Sequence, residues 1–366
     1  MTKNELMIIK YIKENPYISQ SELANKLNLS RSSVAGYISK LMKKGKILGR
    51  AYIVKDKQGI VCIGGANIDR KAKAFKDIEY ETSNPVNFFK TPGGVARNVA
   101  ENLGKLNFSP SLLTCVGDDE NGRWLMKRTS ISNVNTEQSW ILPGSNTGTY
   151  TTILNPDGNM ILSLDDMEIY KNINKKMIEI KWPIICSANT IFLDNNFPEK
   201  TLEYIIDKAR GENKNIYLAT ISSSQIKNLP ENIKGINLLF INKYEARELF
   251  NLDNNRLDYY KKGAQELINK GIKNVIIILS INEIILVKEN NDSLHIRNMK
   301  LQPIDVTGCR DAFTAGVIYG IEKNKTIEQA CQYGLTMSKI TARTKHTVHP
   351  ELNEKLLLNS LKEFKQ

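Results

Sequence analysis

Near its carboxyl end the chain reads Asp305-Val306-Thr307-Gly308-Cys309-Arg310-Asp311-Ala312-Phe313-Thr314-Ala315-Gly316. The run passes from a polar loop into small and apolar residues that predict a helix. Successive backbone amides at a helix start can hold an anion, and Asp311 stands among them. A carboxylate at a helix N-terminus is usually only a stabilising charge, so this segment needs support from elsewhere in the chain.

A second segment, residues 91–100, places a diglycine at the start of another predicted helix. Because Gly93 and Gly94 carry no side chain, a ligand can reach the backbone amides there. A glycine-rich helix entry would explain both glycines without any ligand. A glycine-rich entry does not account for Arg97 and Asn98, both of which follow within about one helical turn.

A third segment, residues 64–69, follows directly on an apolar strand, so Asn67 and Asp69 are expected at the carboxyl edge of a sheet. An amide and a carboxylate two residues apart can together bind the vicinal hydroxyls of a sugar. Asn and Asp are also common turn residues, and this pair alone is a weak signal.

From Gly59 onward apolar strands alternate with helical patterns, which predicts an α/β fold: a mostly parallel sheet flanked by helices on both faces. Ligands of such sheets bind beyond the carboxyl ends of the strands. Strands are expected at residues 60–63, 111–116, 184–186, 190–193, 216–218, 238–241 and 275–279, and helices at residues 96–106, 202–210 and 261–269.

The diglycine helix and the run 305–311, in this order and spacing, resemble the two signatures of the ribokinase family of carbohydrate kinases, also called the phosphofructokinase-B family. The second signature of that family is D-T-x-G-A-G-D. The resemblance spans roughly residues 59–350 and implies a ribokinase-like fold with a small β lid, built from strands after Asp69 and from residues 147–164. Residues 83–103 look closest to pseudouridine kinases, a branch in which fusion to an N-terminal winged helix is known.

The resemblance implies ATP-dependent phosphorylation of the 5′-hydroxyl of a nucleoside or related sugar, with pseudouridine favoured. Asp311 would be the general base. The anion hole would be formed by the amides of Gly308, Cys309 and Arg310. The substrate would be bound by Asn67, Asp69, Gly93, Gly94, Arg97, Asn98 and Asp166.

Cations are implied as well. Asn242 and Glu245 match the family's N-x-x-E, whose acid helps to organise hydrated Mg²⁺ at the nucleotide, and Ser280 follows the late strand that borders the nucleotide. The run Asn242-Lys243-Tyr244-Glu245 also suits an ordinary helix start. Asp305 and Thr307 would lie near a loop for a monovalent cation, K⁺ in family members that have one.

Three departures from the family fall on the nucleotide side. Arg310 replaces the second glycine of G-A-G-D, residues 280–285 lack the usual glycines, and Ala219-Thr220 stands where Asp-Pro is common. These losses keep a second hypothesis open: a nucleoside- or sugar-responsive transcriptional regulator whose kinase fold is a weakly active or inactive sensor. The survival of Asp311 favours the enzyme.

Residues 1–57 hold twelve Lys and Arg against four Asp and Glu, a charge of +8 out of +12 for the whole chain. Three helical patterns and a hairpin at residues 47–54 resemble a winged helix-turn-helix, and a localised basic block points to a polyanion. A small helical docking domain is the alternative. In a winged helix, the third helix and the wing would contact DNA through Arg31, Ser32, Ser33, Tyr37, Lys40 and Arg50.

The composition, with 41% hydrophobic and 25% charged residues, is that of an ordinary soluble protein. No apolar run approaches the ~20 residues of a membrane span, and Lys3 and Glu5 argue against a signal peptide. Five dispersed cysteines suit a reducing cytoplasm, and three histidines make a zinc site improbable. We therefore expect a cytoplasmic homodimer with a DNA-binding domain at residues 1–57 and a kinase domain at residues 58–366.

Overall fold

The computed structural model describes residues 1–49, 59–252, 256–298 and 301–363. Arg50 and most of the predicted wing lie outside these ranges, so the wing and the boundary at residue 57 stay predictions. No helix in the described ranges is both long and apolar enough to cross a membrane. All five cysteines are buried and unpaired.

The three predicted N-terminal helices are confirmed as α1 (Lys3–Glu14), α2 (Gln20–Leu27) and α3 (Arg31–Lys43). Each begins at a hydroxyl residue whose side chain accepts a first-turn amide, a favourable N-cap. Their apolar faces meet in a small core made of Ile8, Ile12, Ile18, Leu23, Ala24, Val34, Ile38, Leu41 and Ile47.

The rest of the described chain alternates strands and helices. The strands are β1 (Gly59–Ile63), β2 (Asn67–Ala74), β3 (Val86–Gly93), β4 (Ser111–Leu113), β5 (Cys115–Gly117), β6 (Trp140–Leu142), β7 (Thr149–Leu154), β8 (Met160–Asp166), β9 (Ala188–Asp194), β10 (Asn215–Ala219), β11 (Leu238–Asn242), β12 (Asn274–Ser280), β13 (Glu283–Lys288) and β14 (Ser293–Arg297). The helices are α4 (Val95–Lys105), α5 (Glu120–Ser130), α6 (Lys175–Ser187), α7 (Glu199–Gly211), α8 (Lys243–Phe250), α9 (Leu257–Asn269), α10 (Cys309–Glu322), α11 (Ile327–Thr341) and α12 (Glu354–Glu363).

The central sheet has the strand order β14-β13-β12-β11-β10-β9-β1-β4. Its strands are parallel from β12 to β4, and the antiparallel β13 and β14 close one edge. Two apolar clusters cover its two faces, which explains why these strands read as near-continuous apolar runs. The predicted mostly parallel α/β fold is confirmed.

A second sheet, with the order β3-β2-β7-β8, forms the predicted lid. One of its faces carries Asp69, Tyr150, Ser163 and Asp165, all of which line a cavity described below. The alternation of side chains along each strand turns the other face away from that cavity.

Two strand predictions need correction. Residues 184–186 form the last turn of α6, because Ile178, Trp182 and Ile185 are buried at helical spacing after the N-cap Asn174. The predicted strand 111–116 is two short strands, since β4 pairs with β1 in the central sheet and β5 pairs with β6.

Candidate active site

A cavity of about 500 Å³ lies between the lid and the starts of α4 and α10. It brings together residues that are far apart in sequence, such as Asn98 and Asp311. The predicted site residues that line it are Asn67, Asp69, Gly94, Asn98, Thr307, Gly308 and Asp311.

The lid strand β2 supplies Asn67 and Asp69, the predicted sugar-binding pair. Asn67 Nδ2 donates a hydrogen bond of 2.7 Å to Asp69 Oδ1. A Cβ at Gly93 would collide with the Asp69 carboxylate, so only glycine lets this carboxylate lie against the backbone of β3. Burial raises the pKa of Asp69, against the hydrogen bond from Asn67 and the charges of Arg97 and Lys71.

Gly94 begins α4 with a φ of +95°, a conformation that glycine adopts without strain. A Cβ there would collide with the backbone of Gly65 and Ala66. The Arg97 amide donates to the Gly65 carbonyl at 3.1 Å, which fixes the helix start against the loop after β1. At the edge of the cavity, Gly93 is therefore required by the Asp69 carboxylate and Gly94 by backbone packing.

Arg97 is fully buried and lies behind the cavity rather than in its lining. Its guanidinium donates to the carbonyls of Gly93 at 2.7 Å and Pro92 at 3.1 Å, to Glu101, and to Asn98 Oδ1. The structure therefore differs from the prediction that Arg97 touches the substrate: its side chain holds the diglycine loop and orients Asn98.

Asn98 and Asp311 form the centre of the site. Asn98 Nδ2 donates to Asp311 Oδ2 at 2.6 Å. Burial raises the pKa of Asp311 to about 6, although the Asn98 hydrogen bond and the charges of Arg310 and Arg97 act in the opposite direction. A carboxylate with this pKa is ionised near neutral pH and can still accept a proton.

The start of α10 matches the predicted anion site only in part. Gly308 caps the helix with a φ of +79°, and a Cβ there would collide with the Thr347 carbonyl. The Cys309 amide donates to the Val306 carbonyl at 3.2 Å. That bond commits one of the three amides predicted to hold an anion.

The Arg310 side chain points to Glu245. Its Nη1 lies 2.6 Å from Glu245 Oε1 and 3.3 Å from the Ile221 carbonyl. Asn242 and Glu245 also form a capping box at the start of α8, so the helix-start interpretation of N-x-x-E holds locally.

Glu245 is fully buried and both of its oxygens accept hydrogen bonds. The donors are Arg310 Nη1 and Asn242 Nδ2 to Oε1, and the Thr220 hydroxyl and the Asn242 amide to Oε2. A carboxylate engaged in this way has no free lone pair for a metal-bound water. As arranged here, Glu245 does not fit the Mg²⁺ role that the resemblance implies.

Ser280 lies at the end of β12, where its hydroxyl accepts the Asn282 amide at 3.2 Å. It is exposed and does not line the cavity. Ser280 therefore closes a tight turn between β12 and β13, and its place beside the nucleotide stays a prediction.

The predicted monovalent-cation loop carries an ammonium group. Lys71 Nζ lies 2.9 Å from Asp305 Oδ2 and 3.1 Å from Thr307 Oγ1. Asp305 Oδ1 accepts both the amide and the hydroxyl of Thr307. Asp305 and Thr307 are thus satisfied by the chain itself and, as arranged, do not fit a K⁺ ion.

The lid strand β8 places Asp165, not the predicted Asp166, in the cavity. Asp165 pairs with Tyr150, which also lines the cavity, and Asp166 pairs with Thr149 one register step along. Successive side chains of a strand point to opposite faces, so Asp166 is turned away.

Two buried groups that the sequence analysis missed shape the site. Asp194, at the end of β9, accepts the amides of Gly65 and Ala96, each at 2.9 Å. The Tyr170 hydroxyl accepts the Ala66 amide and donates to its carbonyl. Asp194 directly follows the predicted strand 190–193 at the ligand-binding edge of the sheet, and that position was the available signal.

In the N-terminal domain, Arg31, Ser32 and Ser33 are exposed at the start of α3. The Tyr37 hydroxyl accepts a hydrogen bond from Asn4, and Lys40 Nζ lies 3.3 Å from the buried Glu5 carboxylate. Both side chains are therefore tied to α1, whereas the hydroxyls of Ser32 and Ser33 bond to the N-cap Ser30.

Known proteins resemble the chain over most of its length. The Escherichia coli "Uncharacterized sugar kinase YeiI" is 25% identical and matches 96% of this chain and 97% of its own length. The Escherichia coli "Pseudouridine kinase" is 27% identical over 82% of this chain and 95% of its own. The structure of Arabidopsis thaliana ribokinase complexed with ribose and ATP superposes with a TM-score of 0.72 at 16% identity, covering 83% of this chain and 99% of the other.

Two family profiles match. Residues 1–47 match the profile described as "Winged helix-turn-helix DNA-binding". Residues 57–354 match "pfkB family carbohydrate kinase". The chain therefore belongs to the pfkB family of carbohydrate kinases and carries a winged helix-turn-helix domain at its N-terminus.

Proposed function

We propose that the large domain transfers the γ-phosphoryl group of ATP to the 5′-hydroxyl of a nucleoside, with pseudouridine as the favoured substrate. The observation that carries this proposal is the hydrogen bond between Asn98 and the buried Asp311, in the same cavity as Asn67 and Asp69. A volume of about 500 Å³ is in the usual range for a small-molecule site. The likeness to a pseudouridine kinase supports the choice of nucleoside.

In this proposal the ribose hydroxyls bind Asn67 and Asp69, and the primary hydroxyl faces Asp311. The hydroxyl oxygen attacks the γ-phosphorus, and a new O–P bond forms as the bond to the bridging oxygen of ADP breaks. Asp311 accepts the hydroxyl proton. The chain contributes mainly position and charge, which is what phosphoryl transfer requires.

The experiment is ADP release from ATP with pseudouridine, uridine, other nucleosides, ribose and fructose. Asp311→Asn is expected to abolish turnover and to keep nucleoside binding. Asp166→Asn is the matched control, since that carboxylate lies on the outer face of the lid. If Asp311→Asn retains the wild-type rate, the proposed base is wrong.

The N-terminal domain is proposed to bind duplex DNA through the first turn of α3, where Arg31, Ser32 and Ser33 are exposed.

The homodimer expected from the sequence stays a prediction. On the outer face of the lid, Phe88, Leu162 and Leu164 are exposed, and sedimentation equilibrium of the full chain tests the association.

A second function, a nucleoside-responsive regulator, is favoured by the contact between the domains. Gly45, after α3, packs so closely on the end of α6 that a Cβ would collide with the backbone at Pro183 and Ser187. β9 follows α6 directly and ends at Asp194, which holds the amides of Gly65 and Ala96 in the site. A ligand-dependent shift at Asp194 would therefore reach α3 through one continuous segment.

A ligand changes such an equilibrium only if it binds the two arrangements with different affinity. DNA affinity of the Asp311→Asn protein, measured at fixed salt with and without saturating nucleoside, separates the two functions. A ligand-dependent change in this inactive variant supports the regulator, and an unchanged affinity excludes it.

A further inference from the structure

The side chain of Arg310, beside Asp311 near the start of α10, has two free donors. Nη1 is bonded to Glu245 and to the Ile221 carbonyl. Nε and Nη2 are buried and have no hydrogen-bond partner among the described residues. Buried donors on a charged group cost free energy unless an acceptor reaches them.

Glu245 holds the guanidinium in place. Its carboxylate is itself fixed by Thr220, directly after β10, and by Asn242, at the end of β11. Since Thr220 and Glu245 are fully buried, Arg310 is oriented by an ion pair to a buried carboxylate rather than by a flexible surface contact. Breaking such a pair would leave a buried charge uncompensated, so the arrangement is costly to disturb.

The guanidinium lies beside the cavity. Ile221, whose carbonyl it contacts, lines the cavity, as do Gly308 and Asp311, which flank Arg310 closely in the chain. The charge of Arg310 also acts on Asp311, since it lowers the pKa of that carboxyl against the effect of burial. An anion that reaches Asp311 through the cavity is therefore attracted toward the guanidinium.

We propose that Arg310 Nε and Nη2 bind the terminal phosphate of the nucleotide, and that Glu245 positions the guanidinium through Nη1. This inference rests on the proposed kinase function. A guanidinium is charged at every physiological pH and binds phosphate oxygens in pairs. The chain thus supplies part of the positive charge at the transferred group, where the resemblance assigns Glu245 to a hydrated cation.

The test measures binding of inorganic tripolyphosphate and of pseudouridine to the full chain by calorimetry, with EDTA present. Arg310→Ala is expected to weaken tripolyphosphate binding by about tenfold or more, the size of one or two charged hydrogen bonds, and to leave pseudouridine binding unchanged. The double variant Arg310→Ala/Glu245→Gln guards against misfolding, because it leaves no buried charge alone, and it should show the same loss. Arg310→Lys should keep part of the affinity.

Kinetics test the positioning role of Glu245. Glu245→Gln is expected to raise KM for ATP more than it lowers kcat, since it loosens the guanidinium without removing it.

Equal or tighter tripolyphosphate binding by Arg310→Ala and the double variant would overturn the proposal. It would show that the Arg310 side chain blocks the phosphate site. If the wild type still releases ADP in that case, the kinase function survives and only the role of Arg310 fails. If the wild type binds pseudouridine and neither tripolyphosphate nor ADP, both proposals fail together.

Discussion

Asn98 Nδ2 lies 2.6 Å from Asp311 Oδ2, while Asn98 Oδ1 accepts a hydrogen bond from Arg97. The amide of Asn98 cannot turn over without losing both bonds, so its N–H group always faces the carboxylate. A donor in this position favours the ionised form of Asp311, which is the form that accepts a proton. Arg97 thus positions Asn98, and its charge also lowers the pKa of Asp311 directly.

The pH dependence of kcat/KM follows from this pair. Because the pKa of Asp311 is raised to about 6, kcat/KM is expected to fall as the pH drops through about 6. Asn98→Ala removes the bond to the ionised form and should move this limb to higher pH. A steady-state pH profile of both proteins checks the prediction, and a limb at the same pH in both would contradict it.

Asp311→Asn is expected to stabilise the large domain at alkaline pH. The folded-state pKa of about 6 lies above the ordinary value of 3.8, so Asp311 lowers the free energy of unfolding as the pH rises through about 6. At pH 8 the variant should be more stable by up to about 3 kcal/mol, with the difference vanishing near pH 4. Urea unfolding followed by tryptophan fluorescence measures it, because all three tryptophans lie beyond residue 57. An equal gain in the free energy of unfolding at both pH values would mean that packing, and not the ionisation of Asp311, causes the difference.

Sequence patterns predicted the parts of this molecule that depend on local chemistry. The diglycine and the run around Asp311 are local signals, and both lie where the structure builds the site. The strand predicted at 184–186 was wrong because a short apolar run does not distinguish a buried strand from the end of a helix.

The sequence pattern could not predict side-chain contacts between residues that are far apart in the chain. The bonds of Arg310 to Glu245 and of Lys71 to Asp305 join elements that the chain pattern gives no reason to place together. Asp166 was predicted in place of Asp165 because strand register, which decides the face, depends on the neighbouring strand.

Replacing Asp165 and Asp166 one at a time distinguishes the cavity face of the lid from its outer face. Asp165→Asn is expected to raise KM for the nucleoside by about tenfold, the size of a lost charged hydrogen bond, because Asp165 lines the cavity. Asp166→Asn, on the outer face, should leave KM unchanged. Nucleoside titrations at saturating ATP provide the measurement, and an effect in Asp166→Asn alone would mean that the strand register differs.

Because of Lys71, the reaction rate is expected not to depend on K⁺. Since its ammonium group already bonds to Asp305 and Thr307, the wild type should show the same rate in potassium, sodium and choline chloride at equal ionic strength. Lys71→Met frees Asp305 Oδ2 and should make the melting temperature rise with K⁺. Lys73→Met, two residues along the same strand and exposed, is the control. Strong activation of the wild type by K⁺ would show that Lys71 does not replace the ion.

DNA binding should depend on Arg31 more than on Lys40. Arg31 is exposed at the start of α3, whereas Lys40 is paired with the buried Glu5. Arg31→Ala is expected to weaken binding to a labelled duplex and to lower the slope of log K against log salt by about one, as for one lost phosphate contact. Lys10→Ala, on the exposed side of α1, serves as the control, and nucleoside binding should be unchanged in both. If Arg31→Ala and Lys10→Ala weaken binding equally, the contact is diffuse charge and α3 is not the recognition helix.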